Sequence, residues 1–176
     1  MQTHTSKRPV ALLIAIALLF TVGATSLMGQ EMNKISGKMT LAAETQETVN
    51  IGDADGHTIT FSVFEGTNFS IGVRKFMDGA HVVNVAFSDL VKYNGPHQTY
   101  TTISKKDDAV IAECQGKTMT KMSADGEPMV VFEGTFTYVG GKGLYKDIQG
   151  KGIYKGQYVS PKIYVVEWEG EYFVKK

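Results

Sequence analysis

The chain has one cysteine and four prolines in 176 residues, and its 18 basic residues are matched by 18 acidic ones. A lone thiol, Cys114, closes no internal disulfide, so the fold must be held by packing. Cys114 itself reads as a small buried hydrophobe or as a reactive thiol. With no net charge and no basic run, the sequence lacks the electrostatic footprint of a nucleic-acid binder or of a protein that sits on an anionic membrane. Helical apolar stripes are missing beyond residue 30, which argues against helix bundles and against sheets covered by helices. Catalytic signatures are missing too. There is no Gly-x-Ser-x-Gly elbow. The glycine-rich runs lead into more strand, whereas a phosphate cradle must open a helix. His57, His81 and His97 are far apart and form no H-x-H or H-x-x-x-H pair, so neither a metal nor another cofactor is expected.

The one long apolar run, Val10–Val22, follows Lys7 and Arg8 and precedes the small residues Gly23, Ala24, Ser26 and Gly29. That order is the pattern of a secretory signal peptide, and the run is shorter than the ~20 residues of a membrane span. Residues 1–26 are therefore expected to be a signal-peptide helix. The mature chain is expected to be secreted or periplasmic, with no membrane contact after cleavage; an uncleaved anchor is the alternative. Without the leader, 16 basic residues face 18 acidic ones, a net charge of −2. About 150 residues remain, enough for one domain around one core.

Residues 27–50 are polar and without a sustained period, and read as a linker or an edge strand; residues 51–176 read as the folded domain. There, nearly every segment alternates with period two. Ile59, Phe61 and Val63 alternate with Thr58, Thr60 and Ser62. Val83, Val85 and Phe87 alternate with Val82, Asn84 and Ala86. Further strands fall in 98–104 and 109–117. Val130, Phe132, Gly134, Phe136 and Tyr138 share one face, as do Tyr164, Val166, Trp168, Gly170 and Tyr172. Turn chemistry at Asp53–Gly56, Asp78–Gly79, Asn94–Pro96, Lys105–Asp108 and Asp125–Gly126 separates the segments.

The nonapeptide Gly141–Gln149 (GKGLYKDIQ) is followed at once by a near copy, Gly150–Tyr158 (GKGIYKGQY). Both copies read as short β segments with glycines where the backbone bends or another group crowds in. About eight strands, each with one apolar face and no helix to cover it, avoid exposed edges and a wet core by closing up. The expected fold is all-β, an eight-stranded antiparallel closed barrel, with a two-layer sandwich as the rival.

The repeat, with Phe132–Phe136 (FEGTF) before it and Val165–Tyr172 (VEWEGEY preceded by Val165) after it, resembles the C-terminal half of bacterial secreted proteins of the allene oxide cyclase-like and dirigent-like barrel group. Phe76–Asn84, Phe87–Leu90 and Asn94–His97 resemble the same group, so the likeness spans roughly residues 57–173. It implies an eight-stranded barrel with an apolar interior, often a dimer or trimer. Functional residues of those families do not align with this chain, so no activity carries over.

If Val83, Val85 and Phe87 face the core, His81 and Asp89 share that face at the two ends of the strand. His57 and Glu65 bracket Ile59, Phe61 and Val63 in the same way. These residues are expected near the barrel mouths. Asn94–His97 is expected as a polar rim, with Asn94 and His97 offering hydrogen bonds and Tyr100 just inside, or else as a plain turn. The inward aromatics Phe132, Phe136 and Trp168 are expected to fill the core or to line a pocket. The candidate ligand-binding set is thus His81, Asp89, Asn94, His97, Tyr100, Phe132, Phe136 and Trp168, with no assignable catalytic residue. The expected function is binding of a small hydrophobic molecule, or a structural role. A cyclase- or isomerase-like enzyme that confines its substrate is one alternative. An oligomeric interaction module, a homo-dimer or homo-trimer joined through Val82, Ala86, Met129, Val131, Ile163 and Val165, is the other.

Overall fold

Residues 31–175 are described by a computed structural model. The leader expected over residues 1–26 lies outside the described residues. Eight antiparallel strands follow one another: β1 (Asn33–Asn50), β2 (His57–Ile71), β3 (Ala80–Val91), β4 (Gly95–Lys105), β5 (Asp108–Met122), β6 (Pro128–Lys142), β7 (Ile148–Ser160) and β8 (Ile163–Val174). Each pairs with its sequence neighbours, and β1 pairs with β8, so the sheet closes into the expected barrel. No strand is an edge. Lys151 and Lys155 of β7 stand opposite Glu171 and Glu167 of β8.

Residues 33–50, expected as a linker or edge strand, form the longest strand, paired on both sides. The reason they looked aperiodic is a bulge between Ala43 and Thr45. Ile35, Met39 and Leu41 are buried before it, whereas Gln46 and Thr48 face the interior after it, so one strand carries two parities.

The two copies of the nonapeptide do not share a structure. In the first, Gly141 and Lys142 end β6, and Gly143–Tyr145 forms a 3-10 turn. Gly143 has φ 66, and the Asp108 carboxylate accepts the Leu144 N–H at 2.8 Å. The second copy lies within β7, where Gly152 and Gly156 face inward beneath rings from β6. A Cβ on Gly152 would sit 2.4 Å from Phe136 Cζ, and one on Gly156 would sit 2.4 Å from Phe132 Cζ. Gly170 of β8 likewise leaves room for Phe136.

One end of the barrel is plugged. Phe76, from the loop between β2 and β3, turns inward and meets the rings of Tyr138, Tyr145, Trp168 and Tyr172 at centroid distances of 4.9–6.0 Å. Asn68, fully buried, fixes this plug. Its Nδ2 donates to the Phe76 carbonyl at 3.1 Å and the Met77 carbonyl at 2.9 Å, and its Oδ1 accepts the Trp168 Nε1–H at 3.0 Å. Both N–H groups of the amide and its oxygen are thus engaged in the barrel floor.

The outer face is divided. Over β7, β8 and β1, Lys and Glu alternate across strands, with Lys38 bonded to Glu167 at 2.7 Å. Across the middle of β2 to β4 the exterior is apolar. Phe61 (44% exposed) stands opposite Phe87 (51% exposed), and Val63 opposite Val85, which in turn faces Tyr100. This reverses the expected faces of β2 and β3. Ile59, Phe61, Val63, Val83, Val85 and Phe87 point outward, while Val82, Asn84 and Ala86, of which Val82 and Ala86 were expected outside, point inward.

Replacing Asn68 by Ala leaves the Phe76 carbonyl and the Trp168 indole N–H without their partner in the barrel floor, and leaves the Met77 carbonyl with the Ala80 N–H alone. It is expected to cost about 3 kcal/mol, read as a lowered midpoint in urea denaturation with Trp168 fluorescence.

Candidate functional site

Above the plug the barrel encloses a cavity of about 1030 Å³ that opens at the opposite end, among the turns β1–β2, β3–β4, β5–β6 and β7–β8. Its wall has two chemistries. On β2 to β5 it carries Thr58, Thr60, Ser62, Asn84, Ser88, Thr99, Thr101 and Thr118; on β6 to β8 it carries Phe132, Phe136, Tyr154, Tyr158, Tyr164 and Trp168. The hydroxyl side is cross-bonded. Asn84 Nδ2 donates to Thr101 Oγ1 at 2.7 Å and Thr99 Oγ1 at 3.1 Å, and the Thr48 and Thr60 hydroxyls meet at 3.1 Å. On the aromatic side, Tyr164 packs edge-on against Phe64 and Phe132 at 4.8 and 5.2 Å.

One row of the sheet crosses both walls. Following the register from β1 to β8 gives Thr48, Thr60, Ser88, His97, Gly116, Gly134, Tyr154 and Trp168. The row returns to β1 at Gly37, displaced from Thr48 by the stagger that a closed barrel requires. In its middle, Tyr154 lies flat across two adjacent strands to reach His97. Its hydroxyl is 2.7 Å from His97 Nε2, and His97 Nδ1 is 3.1 Å from Thr118 Oγ1. The bare glycines make this reach possible: a Cβ on Gly116 or Gly134 would stand 2.6 or 2.5 Å from the Tyr154 oxygen.

Burial sets the charge state of this interior. It holds the His97 imidazole below its ordinary value, and it pushes the Tyr154, Tyr158 and Tyr164 hydroxyls and the Cys114 thiol upward. At neutral pH all of them are uncharged. Ionised groups reach the cavity only at its mouth, where Lys92 Nζ meets Asp55 Oδ2 at 2.9 Å.

Of the expected site residues, His97, Phe132, Phe136 and Trp168 line the cavity. The other four do not. His81 and Asp89 lie on the outer face of β3, where His81 pairs with Glu65 at 3.0 Å and Asp89 with His57 at 2.8 Å. Tyr100 is 46% exposed on the exterior of β4. Asn94 serves the tight β3–β4 turn: its Nδ2 donates to the Lys92 carbonyl at 2.7 Å and its Oδ1 accepts the Thr120 N–H at 2.9 Å. The turn itself is made by Lys92 and Tyr93, both at positive φ, so Gly95 and Pro96 already belong to β4. His57, His81 and His97 sit on three strands, two outside and one inside. An internal pairing of His81 or His97 with Asp89 or Glu65, as a confining enzyme would need, is not formed. Tyr154 and the hydroxyl wall were missed. Two glycines on inward parity, Gly116 and Gly134, were the available signal for a ring lying over them.

His57 and His97 are expected to titrate on opposite sides of 6.5. Hydrogen bonds that His57 donates to Asp53 and then Asp89 raise it, so its contribution to stability is complete below 6.5 and is lost as pH rises through the raised folded value. His97 is lowered, so the unfolded chain takes up that proton first and stability falls as pH drops through 6.5 toward the folded value. NMR titration of the imidazole Cε1–H signals checks both; two coincident midpoints would refute the assignment.

No family model matches this chain, and no curated protein does. Among solved structures it is similar to two pterocarpan synthase dirigent proteins. GePTS1 is 14% identical over 84% of this chain and 92% of that one, with a TM-score of 0.48. PsPTS1 is 10% identical over 83% of this chain and 97% of that one, with a TM-score of 0.47.

Proposed function

We propose that this protein is an exported, non-catalytic barrel that binds a small, uncharged, largely apolar molecule in its interior. The observation that carries the reading is a cavity of about 1030 Å³ lined by rings and neutral hydroxyls, with ionised groups only at the mouth. A charged ligand would lose its hydration there with no counter-charge to meet it. An apolar ring system loses little and gains contact with Phe132, Tyr158 and Tyr164. Export rests on Lys7, Arg8 and the run Val10–Val22 alone.

Trp168, the sole tryptophan, borders the cavity and reports on it directly. The neutral dye N-phenyl-1-naphthylamine should bind with quenching of Trp168 and energy transfer to the dye, while its sulfonated analogue should bind at least tenfold more weakly. Thr99→Phe, which fills the bore from the hydroxyl wall, should abolish dye binding without loss of the folded spectrum. Absence of any transfer in the wild-type protein would defeat the reading.

The exterior apolar face over β2 to β4 supports self-association, with a second copy covering Phe61, Val63, Val85 and Phe87. Sedimentation velocity should find a dimer or trimer that Phe87→Asp converts to monomer. A wild-type monomer at high concentration would remove this part.

A further inference from the structure

Proton accounting along one hydrogen-bonded chain gives the cavity a direction. Thr118, His97 and Tyr154 are linked in series through Thr118 Oγ1, His97 Nδ1, His97 Nε2 and the Tyr154 hydroxyl, at 3.1 and 2.7 Å. A neutral imidazole has one N–H, so the series runs one of two ways. If Tyr154 donates to Nε2, then Nδ1–H donates to Thr118, and the Thr118 proton is left without an acceptor. If Thr118 donates to Nδ1, then Nε2–H donates to Tyr154, and the Tyr154 proton is left over. Both residues border the cavity, but Thr118 is buried at 7% exposure whereas Tyr154 is only half-buried. An unmatched donor costs least where the cavity contents can accept it, so the second arrangement is the stable one.

We infer that Tyr154 is a hydrogen-bond donor aimed into the bore, and that the ligand is an uncharged flat molecule presenting a carbonyl oxygen to it. This rests on the ligand-binding reading above and names its polar anchor. The cavity's threonine and serine hydroxyls are rotors that can donate or accept, and Tyr158 and Tyr164 pack against each other and against Phe132. Tyr154 differs because its ring is immobilised over Gly116 and Gly134, and His97, a positioning residue, occupies its oxygen as acceptor. The flat shape follows from the neighbours. Phe132 stands perpendicular to His97 at 6.2 Å and tilted to Tyr154 at 6.4 Å, so the space beside the hydroxyl is bounded by rings.

The test uses two isosteric probes, 2-acetylnaphthalene and 2-isopropenylnaphthalene, which differ only in C=O against C=CH2. Both should bind the wild-type protein. Tyr154→Phe should weaken the ketone about three- to tenfold, the range of one hydrogen bond, and change the hydrocarbon less than about twofold. Two measurements on the wild-type protein stand if that variant misfolds. The infrared carbonyl stretch of bound ketone should fall below its value in cyclohexane, and 15N shifts should place the His97 proton on Nε2. If neither probe binds, the ligand-binding reading fails and takes the anchor with it. If both bind but Tyr154→Phe affects them alike, the carbonyl stretch is unshifted, or His97 carries its proton on Nδ1, the cavity stands and the donor assignment is overturned.

Discussion

A large ring laid flat against the inner wall of a barrel needs bare backbone beneath it, and this constraint organises the whole molecule. Trp168 rests over Gly37, Phe136 over Gly152 and Gly170, Phe132 over Gly156, and Tyr154 over Gly134 and Gly116. Each contact is closer than a Cβ permits, so ring and glycine are one unit spread over neighbouring strands. Rings lying flat occupy the wall rather than the axis. That is how a barrel so rich in aromatics keeps an open bore instead of filling it.

The two walls have different duties. The ring wall and the Phe76 plug supply the apolar packing, with Asn68 tying the plug to Trp168. The wall on β2 to β5 mixes its hydroxyls with buried Phe64, Val82 and Ile103, while Ile59, Phe61, Val63, Val83, Val85 and Phe87 of β2 and β3 lie on the exterior. Around Phe61 and Phe87 the usual inside-outside rule is therefore inverted, because the inside there is a cavity, not a core. The exposed Phe61–Phe87 pair is the counterpart of the polar Thr60–Ser88 pair one residue along on the inner face.

This explains which parts of the structure were legible from residues alone. On β6 and β8 the apolar residues alternate with Glu and Thr, leaving one possible inner face, and Phe132, Phe136 and Trp168 fell on it. On β2, β3 and β4 both faces hold plausible inner residues, and a one-residue choice of parity moves every side chain across the sheet; the expected inward faces of His81, Asp89 and Tyr100 lie outside for that reason. β1 was hidden by a bulge that changes its parity midway. The repeat could not be resolved locally, since the same nonapeptide becomes a turn beside Asp108 and a strand beneath Phe132 and Phe136. The link between His97 and Tyr154 spans three strand intervals, and no local pattern encodes it.

Seven of the eight seams in this barrel join strands adjacent in sequence, and the eighth joins β1 to β8. The seven can zip from their own turns at small loop-closure cost, while the last must bring together residues more than a hundred apart, such as Asn33 and Tyr172. Gly37 and Trp168 meet across that same seam. The indole therefore finds its seat only when the ring of strands shuts, which makes the slow, final stage of folding the one that seals the bore.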